Sequence, residues 1–241
     1  MANLDDFMNN KLKIILIIIF ALVLAYGVFY FLDYYHAEDS VDSYLNGTDN
    51  VSVVKEDYGL FLDGSGNDTA LIFYPGAKIE YISYIPLLME LSSRGVDCYL
   101  VEMPFNFAFF NGNAADAIID NTNYTHYVLA GHSLGGVSAA SYMNGTGKGD
   151  GAILLSAYPA SKISKPVLSI YGSEDNVLNM ETYNKSKPLM ANLTEFVIEG
   201  GNHEQFAYYG TQPGDGVATI SPEDQQMQTV DKILEFINSL K

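Results

Sequence analysis

Ile14 to Leu32 reads IILIIIFALVLAYGVFYFL, 19 residues without a charge. As a helix it would cover about 28 Å, most of a hydrocarbon core. It is apolar all round and so lacks the polar face of a surface helix. It ends in the bulky string FYFLDYYH, where a cleaved signal peptide would carry small residues. The pattern therefore predicts an uncleaved transmembrane anchor over residues 14–32, preceded by a short cytoplasmic tail, 1–13. Tyr26, Tyr30, Tyr34 and Tyr35 gather toward the outer end, where amphipathic rings suit the interface. Residues 33–50 are acidic and polar with no apolar period, and predict a linker.

From Val51 onward, short apolar runs rich in β-type residues alternate with helical stretches. The strand candidates are Val51–Val54, Tyr58–Leu62, Ala70–Tyr74, Asp97–Glu102, Tyr127–Ala130, Ala152–Ser156, Val167–Tyr171 and Glu195–Ile198. The later runs are continuously apolar, as parallel strands buried on both faces must be. Helices are expected near Tyr81–Ser93, Ala114–Asp120, Leu134–Met143 and Val177–Tyr183. A last helix starts at Ser221, a good N-cap, with Pro222 in its first turn and Glu223 and Asp224 complementing the dipole. Met227, Val230, Ile233, Leu234 and Ile237 mark its apolar face. Such alternation predicts an α/β domain over 51–241, a mostly parallel sheet of about eight strands with helices on both faces.

Composition narrows the partners. The chain carries 29 acidic and 12 basic residues, a formal net charge of −17. That surface repels phosphate backbones and argues against nucleic acid. Lys11 and Lys13 precede the apolar run, and no further Lys or Arg occurs until Lys55, which places the N-terminus inside and the domain outside. Asn46, Asn50, Asn67, Asn123, Asn144, Asn184 and Asn192 begin N-x-S/T triplets, which are compatible with export. The single cysteine, Cys98, lies in an apolar run and reads as a packed core thiol. With four histidines and no metal-type spacing, no metal or cofactor is expected.

The chemistry is concentrated in YVLAGHSLGGVSAA. Gly131-His132-Ser133-Leu134-Gly135 lies between a strand candidate and a helix candidate rich in small residues. A serine on so sharp a turn projects its hydroxyl over the sheet edge, and the turn tolerates little bulk two residues either side. The helix N-terminus beneath it favours a developing oxyanion. Downstream, Asp175, with adjacent Glu174 as the alternative, follows the strand Val167–Tyr171. His203 follows the strand Glu195–Ile198. His126 lies at the wrong end of its strand, His36 lies by the apolar run, and His132 sits beside the nucleophile with its ring turned away. The candidate catalytic residues are thus Ser133, Asp175 and His203. The backbone N–H groups of Leu134 and Ala77, the latter in Tyr74-Pro75-Gly76-Ala77-Lys78, are the candidate oxyanion donors.

The Ser, Asp, His order is that of α/β-hydrolases, and nearly everything after residue 51 resembles that superfamily. LIFYPGAKIEYISY, VEMPFNFAF and GGNHEQFAYYGTQPGDGVATISPEDQ further resemble a membrane-anchored or exported microbial subgroup with a dienelactone-hydrolase-like core. The resemblance implies the same triad and the same donors at Ala77 and Leu134, although Ala77 stands where a second glycine is expected. The expected activity is cleavage of a carboxylic ester or related acyl bond through an acyl-enzyme on Ser133, with a small-molecule acyl substrate and residues 14–32 in a lipid bilayer. An acyl transferase or thioesterase with the same triad, or a non-catalytic tethered binding protein, are the alternatives. Ser156 to Pro166 is too short for a cap domain. Phe105 and Phe107 are candidates for an apolar acyl pocket, and 206–219 for a flap or an ordered loop.

Overall fold

The computed structural model describes residues 2–66 and 68–241. Met1 of the predicted tail and Asn67 of the N-x-S/T set lie outside them. The chain divides into two units, the first ending at Tyr34 and the second running from Tyr35 to Lys241. The first is a single helix, α1, Ala2–Leu32. Its stretch Asn10–Leu32 has a mean hydropathy of 2.8, enough in length and composition to cross a membrane. A membrane span and a signal sequence share that property.

The second unit is built on an eight-stranded sheet. Its strands are β1 (Ser52–Glu56), β2 (Gly59–Asp63), β3 (Thr69–Tyr74), β4 (Asp97–Val101), β5 (His126–His132), β6 (Gly151–Leu155), β7 (Val167–Gly172) and β8 (Leu193–Ile198). They lie in the order β1-β2-β4-β3-β5-β6-β7-β8. β1 and β2 pair antiparallel, as do β2 and β4, and every other neighbour is parallel. Alternate residues of β3 feed opposite faces: Leu71 and Phe73 join one core cluster, Ala70, Ile72 and Tyr74 the other. Helices α2 (Ile85–Ser93) and α6 (Pro222–Leu240) cover the first face, and α3 (Asp116–Ile119), α4 (Leu134–Thr146) and α5 (Met180–Ser186) the second.

All eight expected strands form. The helices differ at their starts. The region 81–93 is a short 3-10 helix, Tyr81–Tyr84, followed by α2, because Pro86 has no N–H to donate and suits only a first turn. The helix near 114–120 is the single turn of α3. On α6, Met227 is exposed and Phe236 takes the buried place expected of it. The segment expected to be a linker, 33–50, largely belongs to the second unit. Its 3-10 helix Asp39–Asn46 puts Val41 into the core at 0% exposure, and Tyr35 bridges to Ile79. One apolar residue in a polar string leaves no period to detect, so the sequence pattern hides this docking. Cys98 is buried as expected, and burial pushes its thiol up to about 12.

Strand order reverses around β3: the chain steps from β3 to β4 on one side, then returns to β5 on the other. Crossovers on opposite faces leave a crevice there, at the carboxyl ends of β3 and β5. Tyr74 is registered against Gly131, so the loop after β3 and the turn after β5 open side by side.

Candidate active site

Ser133 occupies the turn between β5 and α4 with φ 52° and ψ −127°. The left-handed φ costs a non-glycine residue of order 1–3 kcal/mol, and the surroundings hold it. Its N–H donates to Leu155 O at 2.9 Å. A Cβ at Gly131 would come within 2.5 Å of the Gly135 carbonyl carbon, and one at Gly135 within 2.2 Å of Tyr74 O and 2.3 Å of Pro75 O. The two glycines of the motif therefore have distinct tasks. Gly131 lets the turn close, and Gly135 lets α4 press against the loop after β3.

That loop and the start of α4 carry the two candidate donors. Pro75 has no N–H. The Gly76 N–H donates to the Tyr84 hydroxyl at 3.0 Å, and the Lys78 N–H donates to Asn106 O at 2.8 Å. Ala77 between them keeps the loop's one uncommitted N–H among the described residues. Leu134, first residue of α4, carries one of the N–H groups that a helix start leaves without an intrahelical partner. Asn106 and its neighbour Phe105 both have left-handed φ, 57° and 55°, so a strained turn holds Lys78 in place.

Asp175 and His203 come together from the loops after β7 and β8. His203 Nδ1 lies 3.0 Å from Asp175 Oδ2, with both side chains almost fully buried. The other carboxylate oxygen accepts the N–H of Val177 at 2.9 Å and of Leu178 at 2.8 Å. Burial disfavours the charge on Asp175, but the hydrogen bond and charge of His203 and the backbone donors outweigh it, so its pKa is lowered. An ionised carboxylate only accepts, so Nδ1 of His203 carries the hydrogen and Nε2 of the neutral ring keeps its lone pair. Ser133 and His203 border one small cleft of about 90 Å3, with Ser156 and Leu178. The exposed alternative, Glu174, bonds neighbouring Ser173 instead.

Several supports carried no motif. Gln225 on α6 is fully buried. It accepts the Asn202 N–H at 3.0 Å and donates to Asn202 O at 2.8 Å, clamping the residue before His203. Asp215 accepts the N–H of Glu204 at 2.9 Å and of Asn176 at 3.3 Å, tying the histidine loop to the acid loop. With Asn202 Nδ2 donating to Gly216 O at 2.9 Å, the segment 206–219 is an ordered brace. His132 is fully buried, its Nδ1 against the Tyr84 hydroxyl, and its ring is held back in the core.

A larger groove, about 550 Å3, opens from Ala77 and Leu134 along α4. Of the two phenylalanines expected at an acyl pocket, Phe107 lines this groove. Phe105 does not, and is 61% exposed with its ring edge against Phe110.

The chain belongs to the alpha/beta hydrolase family, whose model matches residues 70–227. No curated protein sequence matches it. Its fold is similar to a predicted CIB-like hydrolase from Thermoplasma acidophilum (16% identity, 76% of this chain and 99% of that one, TM-score 0.56). It is also similar to naproxen esterase from Bacillus subtilis (11%, 81% and 95%, TM-score 0.55). A third likeness is to a membrane phospholipase A, a bacterial virulence factor (15%, 95% and 98%, TM-score 0.58).

Proposed function

We propose that this protein is a serine hydrolase that cleaves carboxylic esters through an acyl-enzyme on Ser133. The observation that carries the reading is that His203, paired in burial with Asp175, borders the same cleft as a serine held at a left-handed φ. His203 Nε2 takes the proton of Ser133 Oγ as that oxygen bonds to the substrate carbonyl carbon. The Ala77 and Leu134 N–H groups receive the negative oxygen. The tetrahedral intermediate then expels the alcohol, which leaves with the proton from His203. Water, deprotonated by the same ring, releases the acid and restores the serine. Asp175 stays charged throughout, holding the tautomer and stabilising the imidazolium. The esterase and phospholipase among similar folds are compatible with this reaction.

In the same reading α1 is a retained membrane anchor and the hydrolase domain is extracytoplasmic. Lys11 and Lys13 before the apolar run support that orientation, as do Asp33, Glu38, Asp39 and Asp42 after it.

The test is labelling of the purified full chain by a fluorophosphonate probe, beside Ser133→Ala and His203→Ala. The reading expects labelling in the native protein and none in either variant. A folded native protein that does not label would overturn it.

A further inference from the structure

Two depressions that share Leu134 and Val137 touch different parts of the proposed machinery. Ser133 and His203 border the small cleft, Ala77 borders the large groove, and Leu134 borders both. This difference orients an ester. The histidine must return its proton to the departing alcohol, so the alcohol lies on the His203 side. The acyl chain is then directed to the other side, into the groove.

The groove is shaped for such a chain. Leu134, Ser138, Ser141 and Gly145 fall at helical spacing along one face of α4, a stripe of about 16 Å. Phe107 and Phe109 also line the groove. The hydroxyls on the stripe make no demand on an occupant. Ser138 Oγ donates to Leu134 O at 3.1 Å, and Ser141 Oγ to Val137 O at 2.8 Å, each four residues back on the helix. At Gly145 an added Cβ would meet no atom within 4 Å. Small residues thus keep the floor low, and their polar atoms are turned inward.

Resting on the serine-hydrolase reading, we infer that the α4 groove holds the acyl chain and that the substrate class is esters of long, unbranched acids. At roughly 30 Å3 per heavy-atom-sized unit, about 550 Å3 accommodates an acyl chain of roughly ten carbons or more. The cleft of about 90 Å3 takes only the first few atoms of the alcohol. The reaction is ester plus water to long-chain acid plus alcohol. The Ser133 Oγ–acyl bond forms as the acyl–alcohol bond breaks, and water then takes the acyl group.

The experiment uses the full chain in non-ionic detergent with two ester series: ethyl esters of acids from two to fourteen carbons, and acetates of alcohols over the same range. In the native protein, kcat/KM should rise roughly threefold or more per acyl methylene until the groove is filled. It should stay nearly flat along the alcohol series beyond a few carbons. Gly145→Leu, at the far end of the stripe, should lower the laurate-to-acetate ratio at least tenfold. Ser141→Leu, nearer Ser133, should move the cut-off to a still shorter acid. Retained fluorophosphonate labelling marks each variant as folded. If the variants reshape the alcohol series instead, the orientation is wrong. If acetate is cleaved but neither series responds, the groove does not hold the substrate, while the hydrolase reading stands. If a folded native protein neither labels nor cleaves any ester, that reading falls and takes the inference with it.

Discussion

The Tyr84 hydroxyl lies 2.7 Å from Nδ1 of His132, and the same oxygen accepts the Gly76 N–H at 3.0 Å. Burial pushes the ionisation of Tyr84 up, so its O–H remains to donate to His132 Nδ1. One side chain from the core therefore supports the neighbour of Ser133 and the neighbour of Ala77. Tyr84→Phe keeps the ring but strands both partners. It should cost about 1–3 kcal/mol of stability in urea unfolding. It should also lower kcat more than it raises KM, because Ala77 is asked to act chiefly on the developing oxyanion. Equal loss in a variant remote from the loop, at matched stability, would mean the effect is only structural.

The same histidine sets a pH dependence of stability. Burial foremost, then the proximity of His203, lowers the pKa of His132 well below 6.5, so the folded protein holds it neutral. The unfolded chain binds a proton there below about pH 6.5 and the folded one does not. Stability should therefore fall as pH drops below about 6.5. Asp175, whose folded pKa is lowered, adds a second loss at more acid pH, as it is protonated below its ordinary value near 3.8. Urea midpoints at pH 8, 6 and 5 should decline for the native protein and flatten between pH 6.5 and 5 in His132→Gln.

Gln225 gives a test of how α6 serves the site. Its carboxamide holds both polar groups of the Asn202 backbone, immediately before His203. Gln225→Leu leaves that buried backbone unpaired, at a cost of about 1–3 kcal/mol. Because His203 is positioned through that residue, kcat should drop about tenfold or more while the apparent pKa of the rate profile moves. An unchanged profile in a variant that is merely less stable would leave Gln225 a structural residue alone.

Replacing Asp175 by Asn should be more severe. The amide can donate as well as accept, so nothing compels His203 to keep its hydrogen on Nδ1. Loss of the correct tautomer and of the negative charge should lower kcat by a factor of order 10^4. Circular dichroism should remain native, because Asn can still accept the N–H groups of Val177 and Leu178.

What could be read from the chain alone follows from where the information is stored. Buried parallel strands have to be apolar throughout, so β5, β6 and β7 stand out without their neighbours. The turn that carries Ser133 is equally local, since Gly131, Ser133 and Gly135 must lie within five residues. The start of α5 was not readable. The Asp175 carboxylate takes the N–H groups of Val177 and Leu178 and holds the chain in a turn, so the helix expected from Val177 begins only at Met180, after the Asn179 cap. Tyr84, Gln225 and Asp215 were invisible for a related reason. Each acts through hydrogen bonds that reach eight or more residues along the chain, and no local pattern records such a bond.

The docking of residues 35–50 bears on how the domain can be separated from α1. Val41 is at 0% exposure in the core, the Tyr35 N–H donates to Lys78 O at 2.7 Å, and the Glu80 N–H donates to Tyr35 O at 2.9 Å. Lys78 follows Ala77, so Tyr35 braces the proposed oxyanion loop. A fragment beginning at Tyr35 keeps all of these contacts and should fold as a soluble unit with native kcat on a short ester. A fragment beginning at Val51 loses the burial of Val41, about 1.5–3 kcal/mol, together with the two hydrogen bonds to Tyr35. It should unfold at lower urea and show a lower kcat on the same ester. Comparing the two fragments by urea midpoint and kcat decides the matter. Equal midpoints would mean that 35–50 is a linker after all. A lower midpoint with unchanged kcat would mean that the segment stabilises the domain without bracing the loop at Ala77.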